Sequence, residues 1–388
     1  MPKYTIIFNC STNTVGGAVQ NAVNFIREIY NHYQNNYSWY FIISKPVAEQ
    51  LSDIIINLNY YVSEKTPAHS YYQRKKIEGI INKIKPSLVY TSAGPAYLNI
   101  SSLHLMGCSN PYILGVDKNI RNILFTNPIS RLKRDILTFY QRKHIKKASM
   151  YIAQTEYSKE QLQSITQNKN IYLIYNSISE DFFNYYYDSK LNADNFAPLP
   201  SNNRRIKILI PSSYYKHKNI EIIPSIIKRI KYKYNIDVNV TLTIKNCDFE
   251  RYIKDIAKKN NVTDNITNIG PYNHAAALSL YLDHDIILQP SIVEVFSTSY
   301  IETIAVNKPL VAPNIEFVKS IVSDYPLYYA YSNIDECIDN IYLAYSNLLS
   351  FHDKHSQNDY INKYGSQSER TGNIINLIDT ILVEKGHI

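Results

Sequence analysis

A chain of 388 residues with 45% hydrophobic content is long enough for two or three domains and rich enough to fill their cores. The cysteines Cys10, Cys108, Cys247 and Cys337 lie far apart with no CxxC pair, which argues against a zinc site or a disulfide framework and fits a reducing compartment. The first residues run from a lysine into a short strand without a signal-like apolar segment, and no apolar run approaches the ~20 residues that span a bilayer, so a soluble, cytoplasmic protein is expected. The net charge of +8 is uneven: residues 1–190 carry 21 Lys and Arg against 12 Asp and Glu, and the remainder 20 against 21. The excess concentrates in Arg74-Lys-Lys76, Arg131-Leu-Lys-Arg134 and Arg142 to Lys147. Such clusters suit an anionic membrane surface, and a solvated helix face explains them as well. No nucleic-acid-binding motif accompanies them, so a nucleic-acid partner is not expected.

Along the chain, β-rich runs alternate with helical patterns. Strands are expected at Tyr4–Asn9, Trp39–Ser44, Ser87–Ser92, Tyr112–Gly115, Met150–Gln154 and Ile171–Asn176. Between the first two, Ala18, Ala22, Val23, Phe25, Ile26 and Ile29 recur at helical spacing. Residues 188–204, rich in Asn, Ser, Pro and Asp, read as a linker. The rhythm resumes with strands at Ile206–Pro211, Val238–Ile244, Ile266–Gly270, Asp285–Leu288, Pro309–Ala312 and Leu327–Ala330. Strand–helix alternation implies parallel sheets with right-handed crossovers. The expected fold class is therefore α/β, with two doubly wound, Rossmann-like domains facing a cleft. They are an N-terminal domain over 1–187 and a C-terminal domain over 205–369, with a last helix at about 370–388 packing back on the first.

Four constellations lie where such sheets bind ligands, beyond the carboxyl ends of strands. Gly16-Gly17 joins the first strand to the first helix, where paired glycines admit close backbone approach; a binding loop and a structural turn are both open. Lys218, in Tyr215-Lys-His-Lys-Asn219, stands early in the second domain, either neutralising a phosphate at a helix start or simply exposed. Glu294 lies in a loop after a strand and Glu302 one or two turns into the next helix. That helix start suits a diphosphate and the two carboxylates suit sugar and ribose hydroxyls. Alternatively, Ser299-Tyr-Ile-Glu302 is a capping box and Glu294 an ordinary loop residue. Asn176 ends a strand near the domain boundary, facing a ligand or forming a turn.

Taken together, Gly16-Gly17, Asn176, Lys218-Asn219, Gly270, Pro290-Ser291, the Glu-x7-Glu pair Glu294/Glu302 and Pro309-Leu310 resemble the motifs of the GT-B glycosyltransferases, specifically the retaining family 4. The resemblance covers most of the chain and is most specific over residues 285–314. It implies that Glu294 and Lys218 are the catalytic pair, binding donor-sugar hydroxyls and stabilising the leaving diphosphate. Glu302, Phe296, Ser297, Thr298, Gly270 and Tyr272 would line the donor site, and Gly16, Gly17, Asp117 and Asn176 the acceptor side. The family often has an arginine where Ser213 stands, which would leave diphosphate neutralisation to Lys218 with Lys216 or His217. The family's glycine near Phe296 is missing, and Asp117 stands nearest the position of its N-terminal histidine.

The resemblance implies a retaining, metal-independent transfer of a hexose or deoxyhexose without a cofactor. The donor would be a nucleotide-diphosphate sugar and the acceptor a saccharide or lipid-linked saccharide in bacterial surface polysaccharide biosynthesis. The basic N-terminal domain, beside a near-neutral second domain, suits a cytoplasmic enzyme that can sit peripherally on the inner face of the cytoplasmic membrane. Rival readings are a GT-B-like nucleotide-sugar epimerase and a non-catalytic sugar-nucleotide or lipid-binding protein on the same fold.

Overall fold

The computed structural model describes residues 4–191, 205–348, 357–384 and 386. Thirteen strands among these residues form two sheets, parallel at every pairing. The first contains β1 (Thr5–Cys10), β2 (Ser38–Ser44), β3 (Tyr60–Ser63), β4 (Leu88–Gly94), β5 (Leu103–Cys108), β6 (Met150–Ala153) and β7 (Ile171–Leu173), in the order 3-2-1-4-5-6-7. The second contains β8 (Ile206–Ile210), β9 (Val238–Leu242), β10 (Ile266–Asn268), β11 (Ile286–Leu288), β12 (Leu310–Pro313) and β13 (Leu327–Tyr329), in the order 10-9-8-11-12-13. Both sheets are doubly wound, with strand order reversing beside β1 and β8.

Central strands such as β1, β11 and β12 are rich in Ile, Val, Leu and Phe because helices cover both faces. One core joins Phe8, Phe25, Phe41, Trp39 and Tyr90 with Ile374, Ile375, Ile378 and Leu382 from the helix Gln367–Glu384. The other joins β8, β9 and β11 with Ile223, Ile226, Ile227 and Ile230 from the helix Ile223–Tyr234, whose apolar stripe recurs at helical spacing.

The chain divides into one unit of Met1–Asn176 with Gln367–Ile388 and a second of Ser177–Ser366. The first division falls before the expected boundary at 187 because the helix Glu180–Leu191 belongs to the second unit. Its Phe182 is buried and packs edge-on against Tyr281, ring centroids 5.1 Å apart. Residues 188–191 of the expected linker are thus helical; 192–204 lie outside the described residues.

The apolar run at Tyr112–Gly115 is a helix over Pro111–Leu114, not a strand. Asn110 accepts a hydrogen bond from the Tyr112 amide at 3.0 Å, and Pro111 takes the first helical position, where its missing N–H costs nothing. The strand that lies between β4 and β6 is β5, and β3 forms one edge of the first sheet; neither was expected.

Candidate functional site

Strand order explains how two distant loops meet in the second unit. β8 and β11 pair directly, Ile208 with Ile286 and Leu209 with Ile287, so the loops leaving their carboxyl ends start side by side. The β8 loop is tied down by the Ser212 amide donating to Thr243 Oγ1 at 2.9 Å. It then makes a single 3-10 turn over Lys216–Lys218, closed by Asn219 in the left-handed region at φ 56°, a conformation Asn tolerates better than most residues. The β11 loop is held to it by the Ile292 amide donating to the His217 carbonyl at 2.9 Å.

This arrangement pairs Lys218 with Glu294 as an ion pair, their side chains only 15% and 13% exposed. The Ser291 hydroxyl donates to the same Glu294 oxygen at 3.1 Å. Partial burial strengthens the Coulomb attraction within such a pair while adding the cost of desolvating both groups. Lys216 is exposed, and Ser213 is exposed with its carbonyl accepting from the Ser212 hydroxyl. Lys218 is therefore the β8-loop cation that the fold aims at Glu294.

The helix Thr298–Ala305 follows. Its N-cap residue, Ser297, makes no side-chain cap; its hydroxyl instead meets Ser299 Oγ at 2.7 Å, which also receives a bond from Gln289 Nε2 at 2.6 Å. An uncapped helix start leaves amide donors and a positive partial charge for an anion. The capping-box alternative is set aside by this geometry. Ser299 lies inside the helix, and Glu302 reaches sideways, accepting from Tyr281 Oη at 2.8 Å and from the Thr298 side chain. Burial pushes the Glu302 carboxyl up to about 6, while those two hydrogen bonds favour its ionised form.

Tyr281, fully buried on the helix His274–Leu282, is also hydrogen-bonded to Tyr272. Tyr272 follows Gly270, whose φ of 76° suits glycine. Burial and the nearby Glu302 charge push the Tyr272 hydroxyl up. Phe296 lies against Tyr364 with ring centroids 5.5 Å apart.

The remaining predicted residues belong to the first unit. Gly16 has φ 60° and starts the helix Gly16–Glu28, which lacks a side-chain cap; a Cβ at Gly16 or Gly17 would meet nothing within 4 Å. The space above that helix start is therefore open. Asn176 is 5% exposed, and its Oδ1 has no partner among the described residues. Asp117 caps the helix Lys118–Leu124, accepting from the amides of Asn119 at 2.8 Å and Ile120 at 3.2 Å.

The second unit thus gathers Lys218, Glu294, Glu302 and the Ser297–Thr298 helix start, with Gly270 and Tyr272 on the neighbouring loop. Tyr281, Gln289 and Thr243 were not anticipated. Tyr281 lies 21 residues from its carboxylate partner, so no local pattern marks it.

Residues 192–361 match the family described as Glycosyl transferases group 1. No curated protein matches the chain. Among solved structures, a glycosyltransferase from Rickettsia africae is similar at 17% identity and TM-score 0.71, covering 98% of this chain and 99% of its own. HepE from Anabaena, in complex with UDP and glucose, is similar at 10% identity and TM-score 0.68, covering 97% and 99%. The lipopolysaccharide outer core galactosyltransferase WaaB is similar at 12% identity and TM-score 0.64, again covering 97% and 99%. Residues 192–361, most of the second unit, thus carry the group 1 glycosyltransferase pattern, and the two doubly wound parallel sheets give the chain the GT-B fold of these structures.

Proposed function

We propose that this enzyme moves a hexose or deoxyhexose from a nucleotide-diphosphate sugar to a saccharide acceptor, with retention of anomeric configuration and without a metal. The observation that carries the reading is the Lys218–Glu294 pair, set one short loop before the uncapped start of the helix Thr298–Ala305. A diphosphate at that helix start draws on its amide donors and on Lys218; a sugar hydroxyl can then donate to Glu294. As the donor's glycosidic bond breaks, negative charge grows on the diphosphate, where a fixed cation and fixed dipoles stabilise it most. Glu302, deeper and tied to Tyr281, is suited to accept the ribose hydroxyls.

The HepE structures contain UDP with glucose or UDP-glucose, which supports a nucleotide-sugar donor. The lipopolysaccharide role named for WaaB, together with the basic first 190 residues, supports a lipid-linked acceptor in surface polysaccharide synthesis at an anionic cytoplasmic membrane face. The test is release of nucleoside diphosphate from a panel of nucleotide sugars with and without saccharide acceptors. Glu294→Ala should lower turnover at least ~100-fold, about 2.7 kcal/mol of transition-state stabilisation, with circular dichroism unchanged. Surviving turnover would place the donor site elsewhere.

A further inference from the structure

Among the described residues, eighteen large hydrophobic side chains are exposed, and six of them fall between positions 123 and 139: Ile123, Ile129, Leu132, Ile136, Leu137 and Phe139. Four belong to one stripe. On the helix Pro128–Ile145, Ile129, Leu132, Ile136 and Phe139 recur at spacings of three and four, which puts them on one face, 60–74% exposed. Gln141, His144 and Ile145, the buried residues of that helix, lie on the opposite side and fix it to the first unit. The helix is well anchored at its start, with Pro128 in the first turn and Asn127 accepting from the Ile129 amide at 2.8 Å. The apolar stripe therefore faces outward.

Exposed single hydrophobes need no explanation, but a contiguous stripe does. Its surroundings favour one occupant. Residues 117–147 hold nine Lys and Arg against two Asp. Asp135 is paired with Arg121 at 2.7 Å, and Asp117 is the cap described above. Lys133 and Lys143, which flank the stripe, are exposed, as are Lys118 and Lys146. An outward apolar ridge rimmed by lysines matches the boundary between acyl chains and anionic headgroups. A second copy of the chain would bring the same lysines against each other.

We propose that the helix Pro128–Ile145 docks on anionic lipid, with Ile129, Leu132, Ile136 and Phe139 entering the acyl boundary and Lys133 and Lys143 meeting the headgroups. The proposal rests on the membrane side of the proposed function and is independent of its donor site, so the two can fail separately.

The test is co-sedimentation of the full chain with phosphatidylglycerol-containing vesicles and with phosphatidylcholine vesicles, at low and high salt. The wild type should partition at least tenfold more strongly onto the anionic vesicles, and high salt should weaken that binding. Replacing three stripe residues together (Leu132→Ser, Ile136→Ser, Phe139→Ser) should lower the partition at least tenfold while the nucleotide-induced thermal shift is kept. In a separate variant, Phe139→Trp should show a blue-shifted emission on vesicle addition and quenching by brominated lipid. Wild-type partition by the triple variant, or equal binding to both vesicle types, would overturn the proposal. So would a wild-type dimer that the triple variant dissociates, because the stripe would then be a self-interface.

Discussion

Tyr281→Phe is the most informative substitution in the second unit. The wild-type hydroxyl donates to the Glu302 carboxylate at 2.8 Å in a fully buried setting. A hydrogen bond to a charged group contributes about 1.5–3 kcal/mol, and one pH unit corresponds to about 1.4 kcal/mol. Losing the hydroxyl should therefore raise the Glu302 midpoint by about one to two pH units above its wild-type value of about 6.

Two consequences have opposite signs. Ionised Glu302 is the form that accepts ribose hydroxyls, so nucleotide affinity should fall as pH drops through about 6 in the wild type, and at higher pH in the variant. The folded carboxyl lies above its ordinary 4.5, so its contribution to stability is full below pH 4.5 and is lost as pH rises through about 6. The unliganded melting temperature should lose that contribution across the window in which nucleotide affinity grows. Isothermal titration of a nucleoside diphosphate from pH 5 to 8 reads the first effect, with Glu302→Gln as the control that isolates the titration of the nucleotide's own terminal phosphate, at about pH 6. Coincident acid limbs for wild type and Tyr281→Phe would refute the reasoning.

Two further predictions concern the fold. Ile378→Ala, at a fully buried position where the last helix joins the first core, should cost about 2–5 kcal/mol in urea unfolding. Gly107→Ala would place a Cβ 2.3 Å from the Ser92 carbonyl oxygen, a backbone atom that cannot swing aside. It should cost at least about 1–3 kcal/mol or prevent folding, read as loss of soluble protein or of melting temperature.

Much of the sheet architecture is legible because buried parallel strands are written as apolar runs, as in Ile286–Leu288 and Leu310–Ala312. β5 escapes that reading because His104 interrupts it. The buried imidazole has one partner on β4, the Thr91 hydroxyl at 2.9 Å, and its Nδ1 has none among the described residues. β3 escapes as a short, half-exposed edge strand. Tyr112–Gly115 misleads because its composition is strand-like while Asn110 and Pro111 start a helix.

In the site, Lys218 and Glu294 are identifiable one by one, but their pairing depends on β8 and β11 being neighbours, a long-range fact. The true environment of Glu302 is hidden for the same reason: its partner Tyr281 comes from another helix, while the adjacent Ser299 suggests a cap that does not form.

The central claim, that residues around Lys218, Glu294 and Glu302 hold a nucleotide-sugar donor, is tested most directly by a thermal-shift screen. The ligands are UDP, GDP, ADP, dTDP, CMP and their common sugar conjugates. One nucleotide at ~100 times its dissociation constant should stabilise the wild type by about 2.7 kcal/mol. Lys218→Ala and Glu302→Ala should lose that stabilisation. No stabilisation by any nucleotide, or a full shift retained in both variants, would contradict the account.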